Sequence, residues 1–311
     1  MKLPRLRRDA VRVVVPASSA NLGPAFDCAG LALDVCDEYV AMVSDDAGVL
    51  IEVEGEGAAD VPLDATHLVA RSMALAFAAM DVHPAGFVLR CTNAIPHGRG
   101  MGSSAAAIIG GLVLGRAIVT DGSEVLTDDD LLQLALSMES HPDNIAAALF
   151  GGLNFSWLEE TGRAGTMKLA VHPEIVPVVA IPGDAVATSK ARTALPAQVD
   201  FADASFNIAR ASLLVHALTS DPGYLLEATR DRLHQEARRG MYGASLDLVE
   251  RLRSESIPAV ISGAGPSVLA LPAPSDASRV AALADPTWQV LECAVSPLGA
   301  REVPVMNTPV S

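Results

Sequence analysis

The sequence is poor in basic residues and has no long apolar run. Its 22 lysines and arginines face 37 aspartates and glutamates, which gives a formal net charge of -15 at pH 7. Nucleic-acid backbones and anionic membrane surfaces repel such a chain except at a local basic patch. No stretch reaches the roughly 18 consecutive apolar residues that a bilayer span requires. We therefore expect neither a nucleic-acid nor a membrane partner, and a small molecule is favoured.

Patterned cysteines are also absent, because the four cysteines form no CxxC pair and no metal-ligand spacing. Scattered thiols of this kind suit a reducing compartment, where each is expected to be a small buried apolar residue. The first 20 residues place basic side chains before an apolar stretch, but Arg12 and Pro16 leave no apolar core for a signal peptide. The sequence therefore predicts a cytoplasmic protein.

What is present is a chain of 311 residues with 50% hydrophobic content, enough for one large or two medium domains. Its strand and helix patterns alternate irregularly, which predicts an α+β fold with domains over residues 1–160 and 161–311. In the second half, residues 183–196 read as a polar loop. Apolar spacings of three and four residues then predict helices over residues 204–218, 223–238 and 243–253.

The stretch "NAIPHGRGMGSSAAAIIGGLVLG", residues 93–115, places three glycines at alternate positions before two serines and an apolar run. The run is too long for a strand and predicts a buried helix that begins at Ser103. A glycine-rich turn leading into a helix presents free N–H groups and a positive dipole end, as phosphate requires. Without a lysine it is not a Walker loop, and its glycine spacing does not fit the dinucleotide fingerprint. Phosphate binding is favoured over the alternative that the glycines only permit tight packing.

A second helix, with Thr127 as its N-cap, breaks at "ESHPDN", residues 139–144. A serine hydroxyl that holds a hard cation needs a carboxylate beside it, which makes Glu139 a candidate; the alternative is a solvated glutamate at a helix end. Asp143 either belongs to the site or caps the following helix. Arg192 and Arg238 are able to clamp a carboxylate together, although single arginines are more often surface charges.

Three motifs in order across nearly the whole chain resemble those of the GHMP kinase superfamily. They are "PASSANLGPAFDCAGLAL", "IPHGRGMGSSAAA" and "ISGAGPSVLAL". The first of them, with "HPDNIAAALFGG", "TSKAR" and "DRLHQEAR", is similar to the homoserine kinase branch. The resemblance implies the GHMP kinase two-domain fold, with a left-handed βαβ crossover in the N-terminal domain and a ferredoxin-like α+β C-terminal domain.

The resemblance further implies phosphorylation of the side-chain hydroxyl of L-homoserine in threonine biosynthesis, with ATP and Mg²⁺ as cofactors. Magnesium would be held by Ser104 or Ser103 together with Glu139. Residues expected to wrap the ATP phosphates are Pro96, Gly98, Arg99, Gly100, Met101, Gly102, Ser103 and Ser104. Residues expected to contact homoserine are Asn21, Asp27, His141, Asp143, Arg192 and Arg238, with the acidic groups facing its ammonium and the arginines its carboxylate. The catalytic set is Asp143, Asn144, Thr188 and Arg192, in which Asp143 either anchors the substrate or acts as a general base.

Three positions depart from the family pattern. Met101 replaces a leucine, a swap that conserves volume and should be harmless. Ala25 replaces a glycine, so the turn there must avoid positive φ or be strained. His67 stands where asparagine is common, which leaves the nucleotide-base contacts open. Two alternative functions also stay open, namely a GHMP kinase for another small alcohol and a non-catalytic relative that binds nucleotide or amino acid. The sequence leaves a homodimer open as well.

Overall fold

The computed structural model describes residues 5–185 and 188–305, without the side chains of residues 188–190. The strands are β1 (Val11–Ala20), β2 (Ala29–Ser44), β3 (Gly48–Gly55), β4 (Gly86–Asn93), β5 (Leu153–Leu158), β6 (Ala164–Leu169), β7 (Val178–Ile181), β8 (Ala259–Ile261), β9 (Val268–Ala270), β10 (Gln289–Glu292) and β11 (Arg301–Val303). The helices are α1 (Leu68–Ala79), α2 (Ser103–Ile118), α3 (Gly122–Val125), α4 (Asp128–Leu136), α5 (Pro142–Phe150), α6 (Thr188–Thr193), α7 (Phe201–Thr219), α8 (Leu225–Ala228), α9 (Arg239–Ser254) and α10 (Ala277–Leu283). Within these described ranges, no helix combines the length and the apolarity needed to cross a membrane.

The larger of two sheets is built on β1, whose alternating residues Val11, Val13 and Val15 are fully buried. It runs in the order β11-β1-β2-β4-β3, and β5 joins it by pairing with both β2 and β6. Strands β3 and β4 pair in parallel and are connected by α1, so they form a βαβ crossover. The two sheets and the mixture of helices confirm the predicted α+β architecture.

Helix α2 lies at the centre of this half and packs on β1, β2, α1 and α5. Its glycines permit the close packing, because a Cβ on Gly110 would overlap the ring of Tyr39 and one on Gly111 would overlap the Val69 carbonyl. The N–H of Ser18 on β1 donates to the Met101 carbonyl at 3.0 Å. The glycine-rich helix and the loop before it are therefore fixed against the sheet.

The smaller sheet runs in the order β10-β7-β9-β8, with every pairing antiparallel. When its four strands are numbered in chain order, their order across the sheet is 4-1-3-2. Helices lie in the chain between the first and second of these strands and between the third and fourth. This split βαβ arrangement is that of a ferredoxin-like domain and confirms the prediction. Helices α9 and α10 cover it, and the residues between them and the sheet form a separate core cluster.

The predicted domain boundary near residue 160 stays a prediction. Strands β6 and β11 lie beyond residue 160 in the chain, yet both belong to the larger sheet, where β11 pairs with β1. A division by sheets would place the boundary after β6, with the last strand returning to the first half.

Two local predictions in the second half were wrong. The polar loop over residues 183–196 contains the short helix α6, and the helix over residues 223–238 is broken between Ala228 and Glu236. The break has a visible cause at Asp231, whose carboxylate accepts the N–H groups of Leu233, His234 and Gln235. An aspartate that satisfies nearby N–H groups in this way competes with helical hydrogen bonds.

Two local predictions in the first half are confirmed. Thr127 caps α4 in a capping box, because its hydroxyl accepts the Asp130 N–H and the Asp130 carboxylate accepts the Thr127 N–H. The turn after β1 adopts positive φ at Asn21, Leu22 and Gly23, and Ala25 is not among these residues. The alanine at position 25 therefore fits the turn without strain.

Candidate active site

The glycine loop before α2 owes its shape to Gly98, Gly100 and Gly102, which have φ values of 66°, 75° and 72°. L-residues with a side chain rarely adopt this left-handed region, which explains why the glycines alternate. Helix α2 starts at Ser103, directly after Gly102, and no side chain caps it. Its first turn therefore presents N–H groups and a positive dipole end at the loop, as phosphate binding requires.

The loop is held in place by the turn between β8 and β9. Ser262 Oγ donates to the Gly100 carbonyl at 2.6 Å, and the Ser267 N–H donates to the Arg99 carbonyl at 3.3 Å. A Cβ on Gly100 would overlap the Ser262 carbonyl, and one on Gly102 would overlap the Ser18 hydroxyl. The first and third sequence motifs thus clamp the second from two sides.

Three predicted phosphate-loop residues have side chains that are engaged within the protein. The Arg99 guanidinium donates to the carbonyls of Pro182, Gly183 and His97 at 3.0, 2.6 and 3.1 Å. Pro96 is buried, and Met101 is fully buried in the core. The predicted contacts of these three residues with ATP would therefore run through the backbone of the loop.

Ser104 and Glu139 meet at the start of α2, as expected for a shared metal site. Ser104 Oγ donates to Glu139 Oε2 at 3.1 Å. Burial raises the pKa of the Glu139 carboxyl, and the hydrogen bond from Ser104 partly offsets this effect. In the described ranges, no basic nitrogen lies within 4.0 Å of the Glu139 carboxylate. The same ranges contain no group of three or more His, Cys, Asp or Glu residues that could hold a metal.

This pair fits the needs of magnesium bound together with a nucleotide. Mg²⁺ is typically held by one or two protein oxygens, while phosphates and water complete its coordination. A partly buried carboxylate without a cationic neighbour gains from a bound cation, which removes the penalty of its desolvation. Ser103 lines a second cavity beside the loop.

Asp143 and Asn144 lie in the first turn of α5, beside this pair. Asp143 is only 3% exposed, and burial raises the pKa of its carboxyl to about 7. Its Oδ1 accepts the Asn144 N–H at 2.7 Å, while Asn144 Oδ1 accepts from Ser18 Oγ at 2.8 Å. His141, not Asp143, occupies the N-cap position of α5, so the interpretation of Asp143 as the cap is wrong.

Asp27 and Arg192 form an ion pair across the mouth of the pocket. The guanidinium donates to both carboxylate oxygens, at 3.2 and 2.5 Å, and His141 Nε2 lies 3.9 Å from the same carboxylate. Burial lowers the pKa of His141, and the nearby Asp27 partly opposes this effect. Such a bidentate pair fixes both side chains in defined orientations.

Arg238 approaches the same pocket from the segment before α9. It is 3% exposed, and its guanidinium donates to the Ala191 carbonyl at 3.0 Å. Asn21 enters from the turn after β1, where its side chain donates to the Gly263 carbonyl and accepts the Asp27 N–H. Asn21 therefore links the first and third motifs and orients Asp27.

All the residues predicted to contact the substrate line one cavity, together with the predicted metal ligand and Asn144. Its lining is Asn21, Phe26, Asp27, Glu139, His141, Asp143, Asn144, Arg192, Arg238, Gly263 and Ala264. Thr188 begins α6, but its side chain lies outside the described residues. The cavity combines carboxylates and guanidinium groups and ends at the Ser104–Glu139 pair. A small molecule with both charges suits such a lining.

A second, more apolar cavity adjoins the phosphate loop on its other side. It is lined by Tyr39, Val61, Pro62, Thr66, His67, Leu68, Val69, Asn93, His97, Gly98, Ser103, Ser104 and Ala107. Burial lowers the pKa of His67, and in the described part of the chain its Nδ1 has no hydrogen-bond partner. The position of this unusual histidine is thus compatible with a contact to the nucleotide base, which stays a prediction.

Reasoning from the sequence missed Phe26, Ser18 and His234. The Phe26 ring lies beneath two arginines, with its centroid 5.3 Å from Arg192 Cζ and 5.5 Å from Arg238 Cζ. His234 precedes Arg238 by four residues, and in the helix that the sequence predicted this i, i+4 spacing would have placed the two side chains on one face. Ser18 carries no local signal, because its partner Asn144 is 126 residues away.

Comparison with known proteins places these residues in a family. Residues 67–152 match the GHMP kinases N terminal domain. The chain is 49% identical to the homoserine kinase of Streptomyces avermitilis over 302 residues, which cover 97% of this chain and 98% of that protein. It is 47% identical to the homoserine kinase of Mycobacterium tuberculosis over 268 residues, which cover 85% of this chain and 84% of that one.

The fold is shared with more distant proteins. A homoserine kinase from Cytophaga hutchinsonii superimposes with a TM-score of 0.83 at 24% identity, covering 96% of this chain and 99% of that one. A D-glycero-D-manno-heptose 1-phosphate kinase superimposes with a TM-score of 0.64 at 15% identity, covering 96% and 100%. Because the fold also occurs in a kinase of another name, the sequence identity over nearly the whole chain carries the assignment. On that identity and on the matched domain, the chain belongs to the homoserine kinase family of the GHMP kinases.

Proposed function

We propose that the chain transfers the γ-phosphoryl group of ATP to the side-chain hydroxyl of L-homoserine. The observation that carries the proposal is the cavity in which Asp27 and Asp143 face Arg192 and Arg238. This cavity ends at Glu139, which Ser104 links to the phosphate loop. An amino acid with a terminal hydroxyl has the two charges and the acceptor group that such a lining would bind.

On the nucleotide side, the backbone of residues 98–104 and the first turn of α2 would bind the phosphates of ATP. Ser104 and Glu139 would hold Mg²⁺, which supplies charge neutralisation at the transferred phosphoryl group. The base would lie in the apolar cavity beside His67. The loop would thus direct the γ-phosphate toward the substrate cavity.

On the substrate side, the ion pair between Asp27 and Arg192 defines how a zwitterion would enter. The substrate ammonium would replace Arg192 beside Asp27, and the substrate carboxylate would face Arg192 and Arg238. Each charge of the protein pair thereby gains a new partner, so neither is left uncompensated on binding. Mevalonate has no ammonium and would leave the acidic side without a partner, which is costly for buried groups.

The reacting hydroxyl would lie near Asn144 and Asp143, next to the metal ligands. Phosphoryl transfer depends mainly on alignment and on stabilising charge at the γ-phosphate, which the loop and the pocket would provide. Asp143 has a pKa raised to about 7 by burial, so its carboxylate would form near neutral pH. That carboxylate would either anchor the ammonium or accept the hydroxyl proton, and the two roles predict different kinetics.

The cellular setting that we propose is threonine biosynthesis in the cytoplasm. The homoserine kinase relatives support it through their name. The cysteines support it too, because all four are free. A homodimer stays a prediction.

The test is ADP release by the purified chain with ATP and Mg²⁺, with L-homoserine, mevalonate, galactose and L-serine offered separately. Turnover selective for L-homoserine is expected. Turnover with another acceptor alone would retain the fold and contradict the substrate. Thermal stabilisation by ATP or L-homoserine without any turnover would indicate a binding protein instead.

A further inference from the structure

Arg238 is a buried cation held by uncharged groups. In the described part of the chain, no carboxylate lies within 4.0 Å of its guanidinium. Its Nε donates to the Ala191 carbonyl at 3.0 Å, and its Nη1 lies 3.1 Å from Nδ1 of His234. A buried guanidinium that has hydrogen bonds but no counter-ion strongly favours an incoming carboxylate.

The ring of His234 has a defined tautomer. Arginine can only donate hydrogen bonds, so Nδ1 of His234 must be the unprotonated acceptor in its contact with Arg238. The proton then resides on Nε2, which donates to the Gly23 carbonyl at 2.7 Å. His234 is 1% exposed and is neutral in this arrangement.

The same ring also contacts the turn that carries Asp27. Its centroid lies 4.9 Å from that of Phe26, in a tilted stack. Through Nε2 it binds the Gly23 carbonyl, four residues before Asp27. His234 therefore connects Arg238 to the turn that would bind the opposite end of a zwitterionic substrate.

We propose that His234 is a positioning residue that orients Arg238 for the carboxylate of the substrate. This inference rests on the proposed function. The neutral ring fixes the direction of the guanidinium and leaves its positive charge uncompensated. An aspartate or glutamate at this position would orient Arg238 equally well, but it would neutralise the charge that the substrate needs.

The charged groups around the His234 ring keep it in the neutral form that is protonated at Nε2. Asp231 lies 3.7 Å from Nε2, and its carboxylate is already engaged by backbone N–H groups and by the Asn207 amide. Arg238 faces Nδ1, and Asp27 lies on the side of the turn. Burial lowers the pKa of His234, although Asp231 partly opposes this effect. Protonation of Nδ1 would place two donors against each other and release Arg238.

Two substitutions at position 234 each retain one of the two hydrogen bonds that the ring makes and remove the other. His234→Asn retains an acceptor near the position of Nδ1 and loses the donor to Gly23. His234→Gln retains a donor near the position of Nε2 and loses the acceptor for Arg238. We expect His234→Gln to raise the KM for L-homoserine about tenfold, since a hydrogen bond to a charged group is lost. His234→Asn should remain within about threefold of the wild-type KM.

The KM for ATP should be unchanged in both variants, which distinguishes positioning of Arg238 from a general loss of structure. The matched control is His83→Gln, because the His83 side chain is 77% exposed and lies outside the pocket. An unchanged KM for L-homoserine in His234→Gln would overturn the inference, and so would equal losses in the two variants. Absence of turnover by the wild-type chain would instead contradict the proposed function.

A second measurement needs no variant at position 234. Imidazole ¹⁵N NMR of the wild-type chain at neutral pH should show His234 as a neutral ring protonated at Nε2. A ring protonated at Nδ1 would contradict the inference, because it could not accept from Arg238.

Discussion

Replacing Gly100 by alanine should displace the phosphate loop, because the added Cβ would overlap a backbone atom and not a side chain that could rotate away. Gly100 has φ of 75°, where an added side chain is disfavoured by about 1–2 kcal/mol. The new Cβ would also overlap the backbone carbonyl of Ser262, and overpacking of this kind typically destabilises by about 1–3 kcal/mol. The two effects together lower the free energy of unfolding by about 2–5 kcal/mol.

Gly162 provides a matched control for the conformational part of this effect. It lies in the turn of the β5–β6 hairpin with φ of 80°, and an added Cβ would meet no atom within 4 Å. Gly162→Ala should therefore lower the free energy of unfolding by only about 1–2 kcal/mol, which is the cost of positive φ. Urea denaturation of the two variants gives the difference directly.

The KM for ATP distinguishes displacement of the loop from a general loss of stability. To relieve the overlap, the loop must move away from the β8–β9 turn and lose the hydrogen bond between Ser262 and Gly100. The KM for ATP should then rise about tenfold or more in Gly100→Ala, and it should stay at the wild-type value in Gly162→Ala. Equal stability and equal ATP kinetics in the two variants would refute the clamp between the loop and the turn.

Three further substitutions address the metal, the proton and the substrate carboxylate. Glu139→Gln should raise the Mg²⁺ concentration for half-maximal rate by about tenfold, because a neutral amide is the weaker ligand. Asp143 has a pKa of about 7, so its carboxylate forms as the pH rises and is lost below that value. Asp143→Asn should therefore abolish the rise of kcat/KM with pH around pH 7. The loss should appear as a lower kcat if Asp143 is a general base, and as a higher KM if it anchors the substrate. Arg192→Lys should raise the KM for L-homoserine about tenfold, because the planar bidentate fork is lost.

Two of these substitutions have a matched control variant, and each of the three has a result that would contradict it. Glu124→Gln changes an exposed glutamate, and an unaltered Mg²⁺ dependence in Glu139→Gln would remove Glu139 from the metal site. Arg163→Lys alters an exposed ion pair with Asp129, and wild-type KM in Arg192→Lys would mark that arginine as a surface charge. A pH profile of Asp143→Asn that matches the wild type would exclude a carboxylate role.

The conformation of the glycine loop and the start of α2 could be predicted from the sequence because their determinants are local. Three alternating glycines and the helix start at Ser103 are contiguous, and the structure gives each glycine positive φ. The cavity proposed for the substrate is different, since Asp27 and Arg192 are 165 residues apart and no periodicity relates them. Only the resemblance to a family brought these residues together before the structure did.

The segment after Ala228 shows why the remaining features could not be predicted. Its apolar spacing indicates a helix, yet Asp231 captures the local N–H groups and the Asn207 amide from α7 supports that carboxylate. The competing hydrogen bonds depend on a tertiary neighbour, so a local pattern gives no warning of them. The same irregular segment places Nδ1 of His234 3.1 Å from Nη1 of Arg238.

The most direct test of the account is identification of the product formed from L-homoserine, ATP and Mg²⁺ by the wild-type chain. Phosphorus NMR and mass spectrometry should show one phosphoryl group on the side-chain oxygen, formed in equal amount with ADP. ADP without phosphorylated homoserine, or a phosphoryl group on the carboxylate, would contradict the proposed transfer to the hydroxyl.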